Sequence, residues 1–135
     1  DLTRLTASIV AALELVIKRA PAVVEDYRNK LQQRMSEILK DVPVDEARLL
    51  NEVAFFADKC DINEEISRLS SHLNQFLSCL ESDEPQGRKL DFLSQEMNRE
   101  INTMGSKSND MELTRLVVEM KNQLEKIKEQ IRNVE

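Results

Sequence analysis

Glycine, proline and aromatic residues are scarce in this sequence. Only two glycines and three prolines interrupt its 135 residues, tryptophan is absent, and aromatic residues make up 4%. Residues that lose little on entering a helix, such as Leu, Glu, Lys, Arg, Ala and Met, are abundant instead. Because few large rings are available for a core, aliphatic stripes must pack helix against helix. The composition therefore predicts an all-α antiparallel bundle or array.

Long apolar runs and paired cysteines are also missing. No stretch approaches the ~20 apolar residues that span a bilayer, and residues 1–12 lack the basic region that precedes a secretory core. Cys60 and Cys79, interpreted as lying near opposite ends of one helix, would be about 28 Å apart, which is beyond disulfide reach. We therefore expect free thiols, no membrane partner and a cytoplasmic location.

Charge is distributed unevenly along the chain. The formal net charge of −6 argues against a nonspecific nucleic-acid binder. Residues 41–84 hold 3 basic and 11 acidic side chains, whereas residues 1–40 hold 7 basic and 5 acidic ones. The acidic block is interpreted either as a solvated surface or as a cation site.

Apolar residues recur at spacings of three and four, which predicts about five helices. The first is a long amphipathic helix or helix pair over residues 1–40, either kinked at Pro21 or broken with Pro21 opening the second part. The remaining helices form a C-terminal helical domain over residues 41–135. Asp45 is the predicted N-cap of a short helix that ends at about Lys59, and Asp61 is the predicted N-cap of the third.

Turn-forming residues and one glycine set the predicted limits of the last two helices. Residues 82–87 form a loop, and residues 88–104 form a helix that ends at Gly105 in a left-handed C-cap. A polar link over residues 106–110 follows. The fifth helix carries a coiled-coil-like seam with alternating spacings of four and three, made of Leu113, Val117, Met120, Leu124, Ile127, Ile131 and Val134.

Polar residues form a second pattern on the third helix. Asp61, Glu65, Arg68 and His72 follow at spacings of four, three and four, so they stack on one strip. The strip lies about 80° from the apolar stripe. We therefore expect it at a helix-helix seam, where partial burial tunes charged groups.

The fourth helix supplies a matching polar set. Glu100 lies on its flank, Arg88 and Lys89 at its start, and the face opposite its core carries Gln95, Glu96, Arg99, Asn102 and Thr103. One interpretation is that these sets form ordinary surface ion pairs, each worth a few tenths of a kcal/mol. The other is that they form a site.

The residue types restrict what such a site could be. His72 is the single histidine, which excludes a closed zinc site of several His or Cys ligands, and Leu69 stands where a di-iron Glu-x-x-His motif needs glutamate. The absence of a glycine-rich phosphate loop disfavours a nucleoside triphosphatase. Carboxylates with one imidazole suit Mg²⁺ or Mn²⁺, which could activate water against a phosphodiester.

Two long segments resemble a known family. Residues 52–72 (EVAFFADKCDINEEISRLSSH) and 87–107 (GRKLDFLSQEMNREINTMGSK) are similar to the C-terminal region of the YicC/YloC family of stress-associated endoribonucleases, and residues 121–135 look similar too. Proteins of this family are about twice as long, so the resemblance implies a C-terminal fragment. It also implies RNA cleavage stimulated by a divalent cation such as Mn²⁺, and a ring-like homo-oligomer.

The resemblance implies roles for individual residues. Catalysis is assigned to His72, Glu65, Glu96 and Glu100, and metal binding to Asp61, Glu65, His72 and Glu96, with His72 the preferred general acid or base. Binding of RNA is assigned to Arg68, Arg88, Lys89, Arg99, Asn102, Thr103 and Lys107.

Two other classes of function remain open. One is a non-catalytic helical assembly module whose charged strips build intersubunit ion pairs. The other is an RNA-binding adaptor without cleavage. The fragment is expected to be poorly active alone, because a ring that encloses RNA needs the absent half.

Overall fold

The computed structural model describes residues 1–84 and 86–134. Over these residues the chain forms five α-helices and no strand: α1 (Leu2–Leu39), α2 (Glu46–Cys60), α3 (Asn63–Glu81), α4 (Gly87–Lys107) and α5 (Met111–Val134). The predicted all-α class is therefore confirmed. Pro85 of the predicted loop, the Val134 side chain of the predicted seam and Glu135 lie outside the described part. No described helix is long and apolar enough to cross a membrane.

The first helix is continuous through Pro21, which lies inside it. Its buried side chains end at Val23. This first part shares one core with α3, α4 and α5. The second part of α1 packs instead against α2, where the rings of Tyr27 and Phe56 stack with centroids 3.7 Å apart. Residues 1–23 of α1 therefore belong to the bundle, and the rest of α1 forms a helical pair with α2.

Apolar stripes of α3, α4 and α5 supply the rest of the core. In α5 the first six predicted seam residues are buried, together with Leu116. The largest buried ring is Phe76 of α3. Because α5 packs extensively on both α1 and α4, and α3 packs on α4, the polar edges of α3 and α4 are left facing each other beside the core.

The junction between α2 and α3 differs from the prediction. Asp61 is the C-cap residue of α2, and α3 begins at Asn63 after an N-cap residue, Ile62, with no side-chain cap. The Asp61 carboxylate still accepts the Asn63 N–H at 2.9 Å. Cys60 ends α2 rather than sharing a helix with Cys79, although both thiols are free.

The predicted end of α4 at Gly105 is wrong. The helix continues to Lys107, and no glycine among the described residues has a positive φ. A Cβ at Gly105 would lie 3.3 Å from Cγ1 of Val117 in α5. The glycine therefore permits close packing of two helices and does not provide a left-handed cap.

Candidate metal centre between α3 and α4

Polar side chains from α3 and α4 meet along the seam between these helices. Arg68 of α3 pairs with Glu100 of α4, and Glu65, one turn earlier in α3, pairs with Lys107, further along α4. Glu65 precedes Arg68 in α3, whereas its partner Lys107 follows Glu100 in α4, so the two helices are antiparallel. The predicted polar strip of α3 thus lies at a helix-helix seam.

One group in this seam has the composition of a cation site. His72 of α3 and Glu96 and Glu100 of α4 each offer one ligand atom, and these atoms lie within 4.8 Å of one another. Glu96 and Glu100 are four residues apart, so they project from the same side of α4. His72 and Glu96 are half-buried and Glu100 is buried. We call these three residues the His72 cluster.

The imidazole of His72 has an unsatisfied nitrogen. Nδ1 is buried and has no hydrogen-bond partner among the described residues. Buried polar atoms almost always have a partner. A cation or an ordered water near Nδ1 would satisfy it.

Arg68 connects the His72 cluster to two further carboxylates. Its Nε donates to Oε1 of Glu100 at 2.9 Å, and its Nη2 donates to Oε2 of Glu65 at 3.1 Å. A longer contact of 3.4 Å reaches the exposed Glu64. Glu100 above all, and Glu64 to a smaller extent, raise the pKa of the guanidinium. Both carboxylates buried in the seam therefore share one arginine.

Glu65 is held by a second cation as well. Lys107 donates from Nζ to Oε1 of Glu65 at 3.1 Å and to the backbone carbonyl of Asp61 at 3.2 Å. With its side chain 3% exposed, Glu65 has one oxygen on Lys107 and the other on Arg68. Glu65 therefore acts as the anionic bridge between two cations and lies outside the His72 cluster.

Comparison with known proteins identifies the family. The family model described as "Endoribonuclease YicC-like, C-terminal" matches residues 16–135. The chain belongs to this YicC-like family. Residues 52–72 and 87–107, which carried the resemblance, fall within the match.

Two curated relatives agree with the family match. The "Probable endoribonuclease YicC" of Clostridioides difficile is 55% identical over 124 residues, which cover 91% of this chain and 42% of that protein. The protein of the same name from Haemophilus influenzae is 37% identical over 128 residues, covering 95% of this chain and 44% of that protein. The chain thus spans less than half the length of these YicC relatives.

In this YicC-like chain the predicted site residues are only partly brought together. His72, Glu96 and Glu100 converge, but Asp61 is exposed at the junction of α2 and α3, and its carboxylate accepts the Asn63 N–H. Asp61 lies 11 residues before His72, which corresponds to roughly 16 Å along the axis of α3. The ligand set assigned from the sequence is therefore not assembled as a whole in this conformation.

The basic residues assigned to RNA binding fall into two groups. Arg68 and Lys107 are engaged with carboxylates, whereas Arg88, Lys89 and Arg99 are exposed and take part in none of the ion pairs found within the described ranges. Asn102 is exposed, and the Thr103 hydroxyl donates to the Arg99 carbonyl at 3.0 Å.

Glu100 was not predicted from the sequence to be a metal ligand. It was assigned to catalysis and not to the metal, yet it is the buried member of the His72 cluster. The four-residue spacing from Glu96 was the available signal.

Proposed function

We propose that this chain is the C-terminal part of an endoribonuclease that hydrolyses RNA phosphodiesters with a divalent cation, Mn²⁺ or Mg²⁺. The observation that carries the proposal is the convergence of one imidazole and two carboxylates, and the same imidazole has a buried Nδ1 with no hydrogen-bond partner among the described residues. Support for RNA as the substrate comes from the YicC relatives, both named as probable endoribonucleases.

The donor set fits the proposed ion. Two carboxylate oxygens and one nitrogen match the preference of Mn²⁺ for hard oxygen ligands with an occasional imidazole. Such an ion, when bound, lowers the pKa of a coordinated water and neutralises charge on a phosphoryl oxygen.

The protein residues then have distinct tasks. His72, Glu96 and Glu100 would hold the cation, and Glu100 would be the most firmly positioned ligand because it is buried and fixed by Arg68. Glu96, which is less buried than Glu100, would also accept the proton of the attacking water through the carboxylate oxygen that does not bind the cation. Arg68 is a positioning residue in this scheme, since its guanidinium is already occupied by carboxylates.

A cleavage assay on the full-length protein tests the proposal. We expect Mn²⁺-dependent cleavage of a labelled RNA to fall at least about 100-fold in His72→Ala, Glu96→Gln and Glu100→Gln, the scale of losing proton transfer or a metal ligand. Mn²⁺ binding, followed by electron paramagnetic resonance, should weaken in the same variants. Glu52→Gln, an exposed carboxylate on α2, is the matched control.

The alternative functions predict different results. If His72→Ala and Glu96→Gln cleave RNA normally at the wild-type oligomeric state, the assignment of the site is wrong. If cleavage is lost only in step with loss of assembly, the chain is a helical assembly module. If the wild-type protein binds RNA but does not cleave it with either cation, the chain is an RNA-binding adaptor.

Self-association is a further part of the proposal. The α1–α2 pair exposes Ile38 and Leu50, whose relative exposures are 72% and 64%. Both are large apolar side chains outside the core, and exposed apolar surface of this kind is typical of protein-protein contacts when it is contiguous. We propose that a second copy of the chain covers this pair, and Leu50→Glu should then shift the sedimentation coefficient to that of a smaller species.

A further inference from the structure

An aromatic residue lies exposed beside the His72 cluster. Phe92 of α4 has a relative exposure of 60%, while the core side of the same helix is formed by residues such as Leu93, Met97 and Ile101. Phe92 therefore contributes little to the core. It precedes Glu96 by four residues, so the two side chains are neighbours on one side of the helix, about 6 Å apart along its axis.

Exposed basic residues flank this ring. Arg88 and Lys89 precede Phe92 by four and three residues, and Arg99 follows it by seven, so helical geometry places all three on the same side of α4. All three are exposed and join none of the ion pairs within the described ranges. Phe92 thus lies between two positive positions and next to a carboxylate of the cluster.

The other exposed phenylalanine has a different environment. Phe55 of α2 is 62% exposed, and the ammonium of Lys59 lies 5.2 Å from its ring centroid. That ring therefore already makes a cation–π contact on one face. Phe55 belongs to the α1–α2 pair and not to the seam between α3 and α4.

We propose that Phe92 is a base-stacking residue that receives an unpaired nucleotide of RNA beside the His72 cluster. The flat ring offers a surface for any nucleobase, and the flanking guanidinium and ammonium groups offer contacts for the phosphates on either side. A base inside a duplex is already stacked and cannot reach the ring. The substrate is therefore RNA with an unpaired stretch, and this inference rests on the proposed function.

Binding of a labelled oligouridylate to the full-length protein, without divalent cation so that cleavage does not intervene, tests the role of the ring. Phe92→Trp should bind like the wild type or more tightly. Phe92→Leu and Phe92→Ala should bind about 5- to 150-fold more weakly, the range of base-aromatic stacking. Phe55→Ala is the matched control and should not change the affinity.

An abasic oligomer of the same length separates stacking from other effects. The wild type should bind it as weakly as Phe92→Ala does, and the substitution should cause no further loss. Equal affinity of Phe92→Leu and the wild type for oligouridylate would overturn the proposal. So would a change in oligomeric state of Phe92→Ala with its RNA affinity intact, which would make this face a protein contact.

The result is independent of the metal assignment. Normal cleavage by His72→Ala and Glu96→Gln would contradict the proposed metal site, but it would leave the stacking measurement unchanged. Normal RNA affinity of Phe92→Leu would contradict the stacking role and leave the metal site standing.

Discussion

The Nε of Arg68 lies 2.9 Å from Oε1 of Glu100 and joins α3 to the buried carboxylate of the His72 cluster. The same guanidinium binds Glu65. Among the described residues, Glu65 and Glu100 are the buried carboxylates, so one arginine compensates both. The Arg68 side chain is 49% exposed, but Glu100 is buried, so removal of the arginine alone leaves a buried charge uncompensated and costs more than replacement of both partners.

Arg68→Gln should therefore destabilise the protein and disturb the cluster. Glu65 keeps Lys107, but Glu100 loses the one cation that pairs with it within the described ranges. We expect the midpoint of thermal unfolding, followed by circular dichroism, to fall by roughly 5 °C.

The double variant Arg68→Gln/Glu100→Gln should regain most of the lost unfolding temperature, since position 100 no longer carries a buried charge without a cation. Glu64→Gln, which removes only a 3.4 Å contact from an exposed side chain, is the control and should melt like the wild type. A double variant as unstable as the single one would contradict the view that the uncompensated charge of Glu100 causes the loss.

Asp110 links α1 to the start of α5 and should make stability depend on pH. Its carboxylate accepts two hydrogen bonds from Arg19, at 2.8 and 3.1 Å, and one from the Leu113 N–H at 3.0 Å. These bonds, with Arg19 the main cause, hold the pKa of Asp110 below its usual value of 3.8. The stabilisation is therefore present above about pH 4 and is lost as the pH falls through the lowered pKa.

Urea unfolding of Asp110→Ala tests this dependence. At pH 7 we expect a loss of about 1–2 kcal/mol, typical of a helix N-cap. The difference from the wild type should shrink below pH 4. Asp26→Ala removes only the more exposed partner of Arg19 and should cost less. A constant difference between pH 7 and pH 3 would exclude the ionised carboxylate as the cause.

Much of the fold followed from local patterns in the sequence. The apolar spacing of α5 predicted six residues that are buried, and Asp45 caps α2 as expected by accepting the Ala47 and Arg48 N–H groups. Both features depend only on residues within one helix. Gly105 was misjudged because its role depends on Val117 in the next helix, which local spacing does not indicate.

The candidate site shows the same division. The spacing of Glu65, Arg68 and His72 correctly predicted a polar strip at a helix-helix seam. The position of this strip beside the apolar stripe depends only on residue spacing within one helix. The partner of each side chain depends on how α3 and α4 align, and one helix alone carries no information on that alignment. Arg68 was therefore assigned to phosphate, although Glu100 lies within hydrogen-bond distance.

Cys60 should react slowly with alkylating reagents at neutral pH. Burial raises the pKa of its thiol above the usual 9.0, and the Sγ donates to Oδ1 of Asn109 at 3.2 Å. Because the thiolate is the reactive form, iodoacetamide labelling followed by mass spectrometry should accelerate only above about pH 9. The urea-unfolded protein is the control. Equal rates for folded and unfolded protein at pH 7.5 would contradict the raised pKa.

The last prediction concerns the contact between Gly105 and Val117. Gly105→Ala gains about 1 kcal/mol of helix propensity, but its Cβ would lie 3.3 Å from Cγ1 of the buried Val117. We expect these effects to cancel and leave the free energy of unfolding almost unchanged. Gly105→Val adds two further carbons at a packed interface and should destabilise by about 1–3 kcal/mol.

A double-mutant cycle identifies the cause of that loss. If Val117 is the obstacle, Gly105→Val should cost less in a Val117→Ala background, because the shorter side chain leaves room for the new methyl groups. Ser106→Val, at the exposed neighbouring position in the same turn, introduces the same β-branched residue away from α5 and should cost little. Equal losses from Gly105→Val in both backgrounds would show that helix propensity, and not the approach of α4 to α5, requires glycine at this position.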